Sequence, residues 1–338
     1  MGIDLGGAPI RRVTCLYVGR IGDVIVATPF LRALRRRFPA ARVRLIVGRR
    51  AGAVLPLIPS VDEGLSLGGA LNFGAHLRLA WTLLREPCDL LVDLNSSFSK
   101  TSTLLARAAR ARVSLAFEKG RGPRVFVRVI PAPGEREHMS DRYARLAEAI
   151  GSSEGRGLEL RVPERDAREA DRLLAPLLTE ATGVFKVLVH AGNLSRAPSL
   201  WPPPRLRELC GRLQRERSAR LFFLAGPGEY DTAAAIARAL PWPAPVLPTA
   251  PLPVVAGMVR RMDLLLGSLT STTHLAAALG VPTFAFYEGY TEAVWRPRGE
   301  IHGGAVSSSW SDVQSTTVDQ AWAALKEHLA RLKAPRRP

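Results

Sequence analysis

This sequence has few cysteines, no long apolar run and no signal-peptide pattern, and each of these excludes a class of protein. Its only cysteines, Cys15, Cys88 and Cys210, are odd in number, widely spaced and set in apolar or helical segments, so we expect neither a disulfide framework nor a zinc site. No apolar run reaches about 18 residues, the length that a membrane-spanning helix needs. The segment MGIDLGGAPIRRVTCLYV lacks the pattern of a signal peptide. We therefore expect a cytoplasmic protein.

Two phosphate-binding fingerprints are also missing. The sequence contains neither G-x-G-x-x-G nor G-x-x-x-x-G-K-[ST]. The first marks many dinucleotide-binding domains and the second marks NTPases. Neither a redox enzyme nor an NTPase is therefore indicated.

Acidic residues are scarce relative to basic ones, 30 against 47, which gives a formal charge of +17. Such a charge favours an anionic partner: a nucleic acid, a phosphorylated substrate or an acidic membrane surface. Nearly all the basic residues are arginine, so a GC-rich genome is an alternative explanation. Nucleic acid is the least favoured partner because no helix-turn-helix, RNP or finger pattern is present. In the first fifty residues the acids are Asp4 and Asp23, set against a dense basic series: Arg32, Arg35, Arg36, Arg37, Arg42, Arg44, Arg49 and Arg50.

The length of 338 residues suits two domains of roughly 150 residues each. Short β-rich apolar runs alternate with helical segments in both halves, which predicts βαβ units and parallel sheets. The predicted strands are RVTCLYV, VRLIV, CDLLVDL, RVSLAF and VFVRVI, then FKVLVHAG, ARLFFLAG, PAPVLPT, MDLLLGS and VPTFAFYEG. A polar stretch separates the two sets. We expect two Rossmann-like domains, residues 1–165 and 166–338, the second ending in an amphipathic helix.

Ligands of parallel α/β sheets bind outside the carboxyl ends of the strands, so the loops that follow the strands are the candidate sites. Asp23 follows the first strand in GRIGDVIVATP and lies at the start of a helix. Glu229 follows a glycine turn in LAGPGEYDT, again near a helix start. At either place an acid has a second interpretation, as a helix cap.

The loop GSLTSTTHLAAALG brings four hydroxyl side chains to a helix start: Thr270, Ser271, Thr272 and Thr273. Unpaired backbone N–H groups and the helix dipole favour an anion at such a place, and hydroxyls add further donors. The arrangement suits a diphosphate. Hydroxyl residues also cap helices without a ligand, so capping stays the alternative.

Five segments together resemble the lipopolysaccharide heptosyltransferases of glycosyltransferase family 9, which are GT-B enzymes. They are GRIGDVIVATPFLRALRRRFP, HMSDRYARLAEAIG, HAG with WPPPRLRELCGRL, FFLAGPGE, and MDLLLGSLTSTTHLAAALGVPTFAFYEG. The resemblance implies two Rossmann-like domains whose parallel sheets face each other across a cleft. It also implies metal-independent, inverting transfer of a heptose, usually from ADP-heptose, to a hydroxyl of the anionic lipopolysaccharide core. The nucleotide sugar is then a substrate rather than a cofactor, and the protein attaches peripherally to the inner face of the cytoplasmic membrane.

The resemblance also assigns roles to residues. It makes Asp23 the general base, in an amino-terminal domain that binds the acceptor. It gives Glu229 the ribose hydroxyls of the nucleotide, in a carboxy-terminal domain that binds the donor. The residues implied around the diphosphate are Gly192, Asn193, Thr270, Ser271, Thr272, Thr273 and His274. The basic residues expected to bind the anionic acceptor are Arg20, Arg35, Arg36 and Arg37.

Three positions depart from the family pattern. Ser199 stands where a lysine is usual, Leu269 where an acid is usual, and Ser271 where a glycine is usual. Arg196 is the candidate replacement for the lost cation, since a charge-assisted contact contributes about 1.5–3 kcal/mol. The departures at 199 and 269 favour a second interpretation, a divergent or non-catalytic relative that binds a sugar nucleotide or a glycan.

Overall fold

The structure is a computed structural model. It describes residues 7–68, 73–120, 125–153, 156–178, 184–192 and 200–333. The chain divides into two compact units, Met1–Arg161 (unit 1) and Val162–Pro338 (unit 2). The boundary expected after residue 165 falls inside the first helix of unit 2, which begins at Glu164. None of the helices in the described ranges is long and apolar enough to cross a membrane.

Unit 1 contains a six-stranded parallel sheet in the order β3-β2-β1-β4-β5-β6. Its strands are β1 (Arg12–Tyr17), β2 (Arg42–Val47), β3 (Glu63–Ser66), β4 (Leu90–Asp93), β5 (Val113–Phe117) and β6 (Arg128–Ile130). Its helices are α1 (Ile21–Val26), α2 (Thr28–Arg37), α3 (Phe73–Arg85), α4 (Lys100–Ala108) and α5 (Met139–Ala149), with a 3-10 segment at Arg49–Leu57.

The central strands of unit 1 are buried along almost their whole length, as expected for a sheet covered on both faces. In β1 only Arg12, the first residue, is exposed, and all four residues of β4 are buried. Side chains such as Leu16, Ile46 and Leu91 form one apolar cluster with the helices that cover them. Helix starts are capped locally, for example by Ser99, whose hydroxyl accepts from the Ser102 amide at 3.2 Å.

Unit 2 contains a five-stranded parallel sheet in the order β11-β10-β9-β7-β8. Its strands are β7 (Lys186–His190), β8 (Arg220–Phe223), β9 (Leu264–Ser268), β10 (Thr283–Tyr287) and β11 (His302–Val306). Its helices are α6 (Glu164–Leu178), α7 (Pro203–Arg217), α8 (Tyr230–Arg238), α9 (Leu252–Val259), α10 (Ser271–Ala278), α11 (Gly289–Trp295) and α12 (Val318–Lys333).

Aromatic packing fixes the core of unit 2. Trp201 is 1% exposed and stacks on Phe286, with ring centroids 4.0 Å apart. Its indole N–H donates to the Thr316 carbonyl at 3.0 Å, so the polar atom of the buried ring has a partner. The last helix, α12, adds Trp322 and Leu325 to the same core.

The predicted α/β class with two parallel sheets is confirmed, and most predicted strands are present. Two strands were not predicted, β3 and β11. The run PAPVLPT forms only a single bridge, between Phe223 and Val246, instead of a strand. Three prolines in seven residues explain this outcome, because proline has no N–H to donate to a sheet.

The strand orders define one switch point in each sheet, the place where ligands of open α/β sheets bind. In unit 1, β1 lies between β2 and β4, so the switch point is at the carboxyl ends of β1 and β4. In unit 2, β7 lies between β8 and β9, which puts the switch point at the carboxyl ends of β7 and β9.

Candidate functional site

Asp23 lies at the unit 1 switch point, directly after β1. It occupies the third position of α1 and is half-buried, and its Oδ2 accepts a hydrogen bond from the Arg20 backbone N–H at 2.7 Å. Asp23 is therefore not the N-cap residue that the alternative interpretation predicted, but its carboxylate makes the reciprocal contact of a capping box to the N-cap residue Arg20. The same contact fixes the direction of the carboxylate at the carboxyl edge of the sheet.

Two buried tyrosine hydroxyls lie near Asp23. Tyr17 ends β1 and Tyr143 belongs to α5, and their oxygen atoms are 2.6 Å apart. Burial raises the pKa of both hydroxyls, and the negative charge of Asp23 raises each of them further. Both groups keep their protons at neutral pH, so this pair stabilises the local structure as a neutral hydrogen bond.

A buried charge cluster on β4, which was not predicted from the sequence, completes the switch point of unit 1. Asp93 is 0% exposed. Its Oδ1 accepts from the Asn95 side-chain amide at 2.6 Å, and its Oδ2 accepts from the Ser102 hydroxyl at 2.9 Å and pairs with Lys119. The ammonium of Lys119 also lies 5.0 Å from the centre of the Phe126 ring. The available signal was an acid ending an otherwise apolar strand, CDLLVDLN.

At the unit 2 switch point, two glycines allow β7 and β9 to approach closely. A side-chain carbon at Gly267 would lie 1.9 Å from the His190 carbonyl oxygen, so no other residue fits there without moving the backbone. Gly192 has φ +105°, and a side chain there would meet Ser268. The Ser268 hydroxyl donates to the Ala191 carbonyl at 3.2 Å and accepts from the Trp201 amide at 3.3 Å. These contacts fix the backbone at Ala191 and at Trp201, before and after the segment that contains the predicted donor residues Asn193 and Arg196.

The hydroxyl-rich loop begins α10 as predicted, and it divides into two kinds of residue. The Thr270 hydroxyl caps the helix by accepting from the Thr272 amide at 3.3 Å. Thr273 is buried, and its hydroxyl is used internally, donating to the Ser268 carbonyl at 3.4 Å and accepting from the Thr270 amide at 3.3 Å. Thr270, Ser271 and Thr272 are half-buried, so their side chains reach the surface of unit 2.

His274, also predicted near the diphosphate, is 4% exposed, with its ring centroid 6.1 Å from that of Trp295. Leu269, which precedes the loop, is half-buried. Asn193, Arg196 and Ser199 lie outside the described residues.

Glu229 lies beside this loop and does not make the capping contact that was its alternative interpretation. It occupies the residue before α8, but its side chain makes no cap hydrogen bond to that helix. Instead its Oε2 accepts from the Gly226 amide at 2.8 Å and lies 3.4 Å from Nε2 of His190. Burial acts to raise the pKa of Glu229, but the hydrogen bond and charge of His190 and the Gly226 amide outweigh it and hold the pKa below its usual value. Glu229 is therefore ionised at neutral pH.

His190, the last residue of β7, links Glu229 to the α10 loop, a role that was not predicted from the sequence. Its Nδ1 lies 3.4 Å from the Thr270 hydroxyl oxygen, while its Nε2 faces Glu229. Its side chain is 9% exposed. The signal was present in the sequence, since a polar histidine lies near the end of the otherwise apolar predicted strand FKVLVHAG. The unit 2 switch point thus brings together His190, Glu229 and Thr270.

The basic residues predicted to bind the acceptor are not gathered around Asp23. Arg20 is exposed beside it, but Arg35, Arg36 and Arg37 form the last turn of α2. A ten-residue helix rises about 15 Å, so this basic turn lies well away from the start of α1.

The members of the basic turn differ in their contacts. Arg35 pairs with Asp62 and donates to the Ala41 carbonyl at 2.7 Å, whereas Arg36 and Arg37 are exposed. The guanidinium of Arg37 also donates to the Ile150 carbonyl at 3.2 Å. Arg35 therefore has a structural contact to maintain, and Arg36 and Arg37 present the more accessible charges.

Sequence comparison agrees with the resemblance. The family model described as Glycosyltransferase family 9 (heptosyltransferase) matches residues 76–319, well over half of the chain. Lipopolysaccharide heptosyltransferase 3 of Escherichia coli (strain K12) is 22% identical to this chain over 297 residues, which cover 82% of each protein.

Solved structures show the same fold. A family 9 glycosyl transferase from Veillonella parvula DSM 2008 superposes with a TM-score of 0.82 at 17% identity, covering 95% of this chain and 98% of that one. The heptosyltransferase WaaC of E. coli, solved with ADP, gives a TM-score of 0.75 at 18% identity, covering 94% and 99%. These likenesses confirm the predicted GT-B fold class.

Proposed function

Because this chain belongs to glycosyltransferase family 9, we propose that it transfers a heptose, or a related sugar, from an ADP-sugar to an anionic glycan acceptor of the lipopolysaccharide-core type. One observation carries the proposal: the unit 2 switch point brings an ionised acid, a histidine and a hydroxyl-lined helix start together. The names of two relatives support it, one a lipopolysaccharide heptosyltransferase and the other a heptosyltransferase solved with ADP.

In this proposal unit 2 binds the donor. Among the described residues, both recorded polar contacts of the Glu229 carboxylate go to Oε2, so Oε1 is the oxygen proposed to accept from a ribose hydroxyl. Thr270, Ser271 and Thr272, with the backbone N–H of Ser271 at the start of α10, donate to the diphosphate. The turn at Gly192 lets the backbone approach the same ligand. Asn193 and Arg196 are also proposed to contact the donor, and the support for these two residues comes from the sequence.

Unit 1 supplies the acceptor side and the general base. The acceptor hydroxyl attacks C1 of the sugar from the face opposite the diphosphate. A carbon–oxygen bond to the acceptor forms, the bond to the leaving phosphate oxygen breaks, and the configuration at C1 inverts. Asp23 takes the proton of the hydroxyl, and ADP leaves with the bonding electrons. The α10 helix start stabilises the charge that develops on the diphosphate, and no metal ion takes part in the proposal.

One observation favours a second function, a sugar-nucleotide-binding relative without transferase activity. Leu269 stands directly before the diphosphate-binding loop, at a position where the family usually has an acid, and it is half-buried there. A leucine offers no hydrogen bond to a sugar or ribose hydroxyl. This protein would still bind ADP, and only the absence of turnover would distinguish it from the enzyme.

Thermal unfolding with a nucleotide panel tests both functions. ADP at one hundred times its dissociation constant is expected to stabilise the protein by about 2.7 kcal/mol, which raises Tm by roughly 5–10 °C. UDP and GDP at the same concentration serve as controls for nonspecific anion binding. Turnover of ADP-heptose with a lipopolysaccharide-core acceptor then supports the enzyme, and ADP binding without turnover supports the second function. If ADP causes no shift beyond that of UDP and GDP, both are wrong.

Salt dependence tests the proposed peripheral attachment to an anionic membrane. The double variant Arg36→Gln/Arg37→Gln removes the two exposed charges of the α2 turn and retains Arg35, which pairs with Asp62. Each basic residue near an anionic surface contributes about 1 kcal/mol, so we expect roughly 30-fold weaker association with anionic liposomes and a shallower salt dependence. Sedimentation of liposomes at several salt concentrations measures both.

The matched control is Arg215→Gln/Arg217→Gln, which removes two exposed arginines from the last turn of α7 in unit 2. It lowers the net charge by the same amount and is expected to leave association almost unchanged. Equal losses in the two variants would mean that total charge, rather than the α2 turn, drives binding. Association that salt does not weaken would contradict an electrostatic attachment altogether.

A further inference from the structure

The two ring nitrogens of His190 face partners of different chemical kinds. Nε2 lies 3.4 Å from a carboxylate oxygen of Glu229, which can only accept hydrogen bonds when ionised. Nδ1 lies 3.4 Å from the hydroxyl oxygen of Thr270, which can both donate and accept. The first partner therefore fixes a proton on Nε2, and the second allows either protonation state at Nδ1.

In the neutral imidazole, Nδ1 carries a lone pair and the Thr270 hydroxyl must donate to it. The same oxygen already accepts from the Thr272 amide at 3.3 Å. A hydroxyl has only one proton, so Thr270 then has none to offer to a ligand. The residue proposed to bind the diphosphate is thereby occupied within the protein.

Protonation of Nδ1 reverses this hydrogen bond. The imidazolium donates to the Thr270 oxygen, and the hydroxyl proton becomes free to donate to a phosphate oxygen. The ring also gains a positive charge, which the anionic diphosphate favours and which the ionised Glu229 on the other side of the ring stabilises.

We propose that His190 is a positioning residue that takes up one proton when a nucleoside diphosphate binds and so turns the Thr270 hydroxyl toward the ligand. This inference rests on the proposed function, because it takes the α10 helix start as the diphosphate site. The proton comes from the buffer and is carried on Nδ1, and no other bond forms or breaks. Glu229 keeps its charge throughout and holds the ring through Nε2.

Few charged or titratable groups lie near His190 at the carboxyl end of β7. Lys186, Asp263 and Arg220 belong to the amino ends of the strands, far along the sheet from His190. At the carboxyl end, Glu229 precedes α8 and the buried His274 lies on α10. Among the described residues Glu229 is the only charged group recorded within ion-pair distance of the His190 ring.

Isothermal titration of the full chain with ADP tests the inference between pH 7.5 and 9, where the terminal phosphate of ADP, with a second pKa of about 6, has already lost its proton. Titrations in Hepes and in Tris, which differ in ionisation enthalpy, count the protons taken up. We expect net uptake of up to one proton per ADP within this range and an affinity that falls as pH rises, by at most about tenfold per pH unit. No uptake, with an affinity independent of pH, overturns the inference.

Two variants locate the proton. His190→Gln retains hydrogen-bonding groups but cannot take up a proton, so it should bind ADP without proton uptake and with little pH dependence. Thr270→Val removes the hydroxyl, and its proton uptake should fall because the hydrogen bond between His190 and residue 270 is lost.

The matched control is His302→Asn, a change at a buried histidine on the amino end of β11, which should leave proton uptake unchanged. Undiminished uptake in His190→Gln would overturn the inference.

Nitrogen-15 NMR of the histidine rings in the native chain gives a readout that does not depend on any variant. A ring that changes from one attached proton to two on addition of ADP is expected, and no such change overturns the inference. If ADP does not bind at any pH, the proposed function and the inference both fail. If ADP binds without proton uptake, only the inference fails.

Discussion

Asp23→Asn is expected to lower turnover by about 10²–10⁴, the usual contribution of a positioned general base. The amide has nearly the shape of the carboxylate, and its oxygen can still accept from the Arg20 amide, the contact that measures 2.7 Å in the structure. It cannot take a proton from the acceptor at neutral pH. Melting temperature and ADP affinity should therefore stay close to their native values while the transfer rate falls, because the donor is proposed to bind unit 2.

The chain offers a matched control for this change. Asp141 stands at the third position of α5, the position that Asp23 occupies in α1, and pairs with Arg156 at 2.8 Å. Asp141→Asn makes the same chemical change at an equivalent place in a helix and should leave turnover almost unaffected. Full transfer activity in a folded Asp23→Asn protein would show that Asp23 is a helix cap only, and the general base would have to be another residue.

Lys119→Met is expected to destabilise the protein by about 3–5 kcal/mol, the usual cost of leaving a buried charge without its partner. Lys119 pairs with Asp93, which is 0% exposed and whose other recorded partners among the described residues are the neutral Asn95 and Ser102. Methionine fills most of the volume of the lysine side chain, so the loss arises mainly from the charge. In thermal unfolding it should appear as a fall in Tm of roughly 6–20 °C.

The partner substitution provides the internal check. Asp93→Asn removes the buried negative charge, and the double variant Asp93→Asn/Lys119→Met contains neither charge. The double variant should recover much of the stability that Lys119→Met loses, because a buried ion pair contributes little net stability when both members are replaced. If the single variant loses less than about 1 kcal/mol, water or another group solvates Asp93, and the cluster is not a buried ion pair.

The central strands could be predicted because burial on both faces requires long apolar runs, as in β1, β4 and β9. The two strands that were missed lack this signal. β3 has the sequence EGLS and alternates between half-buried and exposed residues at the edge of its sheet, and β11 is HGGAV, with two glycines. In β11 the glycines are needed, since a side chain at Gly304 would lie 2.3 Å from the Ala285 carbonyl oxygen. The glycines of β11 are required by how closely the neighbouring strand packs in the folded sheet, and the sequence alone does not show that contact.

The candidate site was partly predictable for a similar reason. A loop after a parallel strand must lie at the carboxyl edge, so the sequence could place Asp23, Glu229 and Thr270 at the surface where ligands bind. It could not show that the side chain of Glu229 turns away from its helix toward His190, because that contact joins residues 39 positions apart in the chain. The Asp93 cluster was hidden for the same reason, since its lysine comes from the loop after a different strand.

The position of the last helix bears on the order in which the protein folds during synthesis. Unit 1 ends at Arg161, whose amide donates to the Leu57 carbonyl at 2.8 Å, so its described internal contacts are available before unit 2 has been made. Unit 2 closes its core with Ala321, Trp322 and Leu325 of α12, which follows all its other described helices and strands in the chain. Until that helix leaves the ribosome, the apolar faces of β11 and α7 remain uncovered, and this interval is when the nascent chain most needs protection from aggregation.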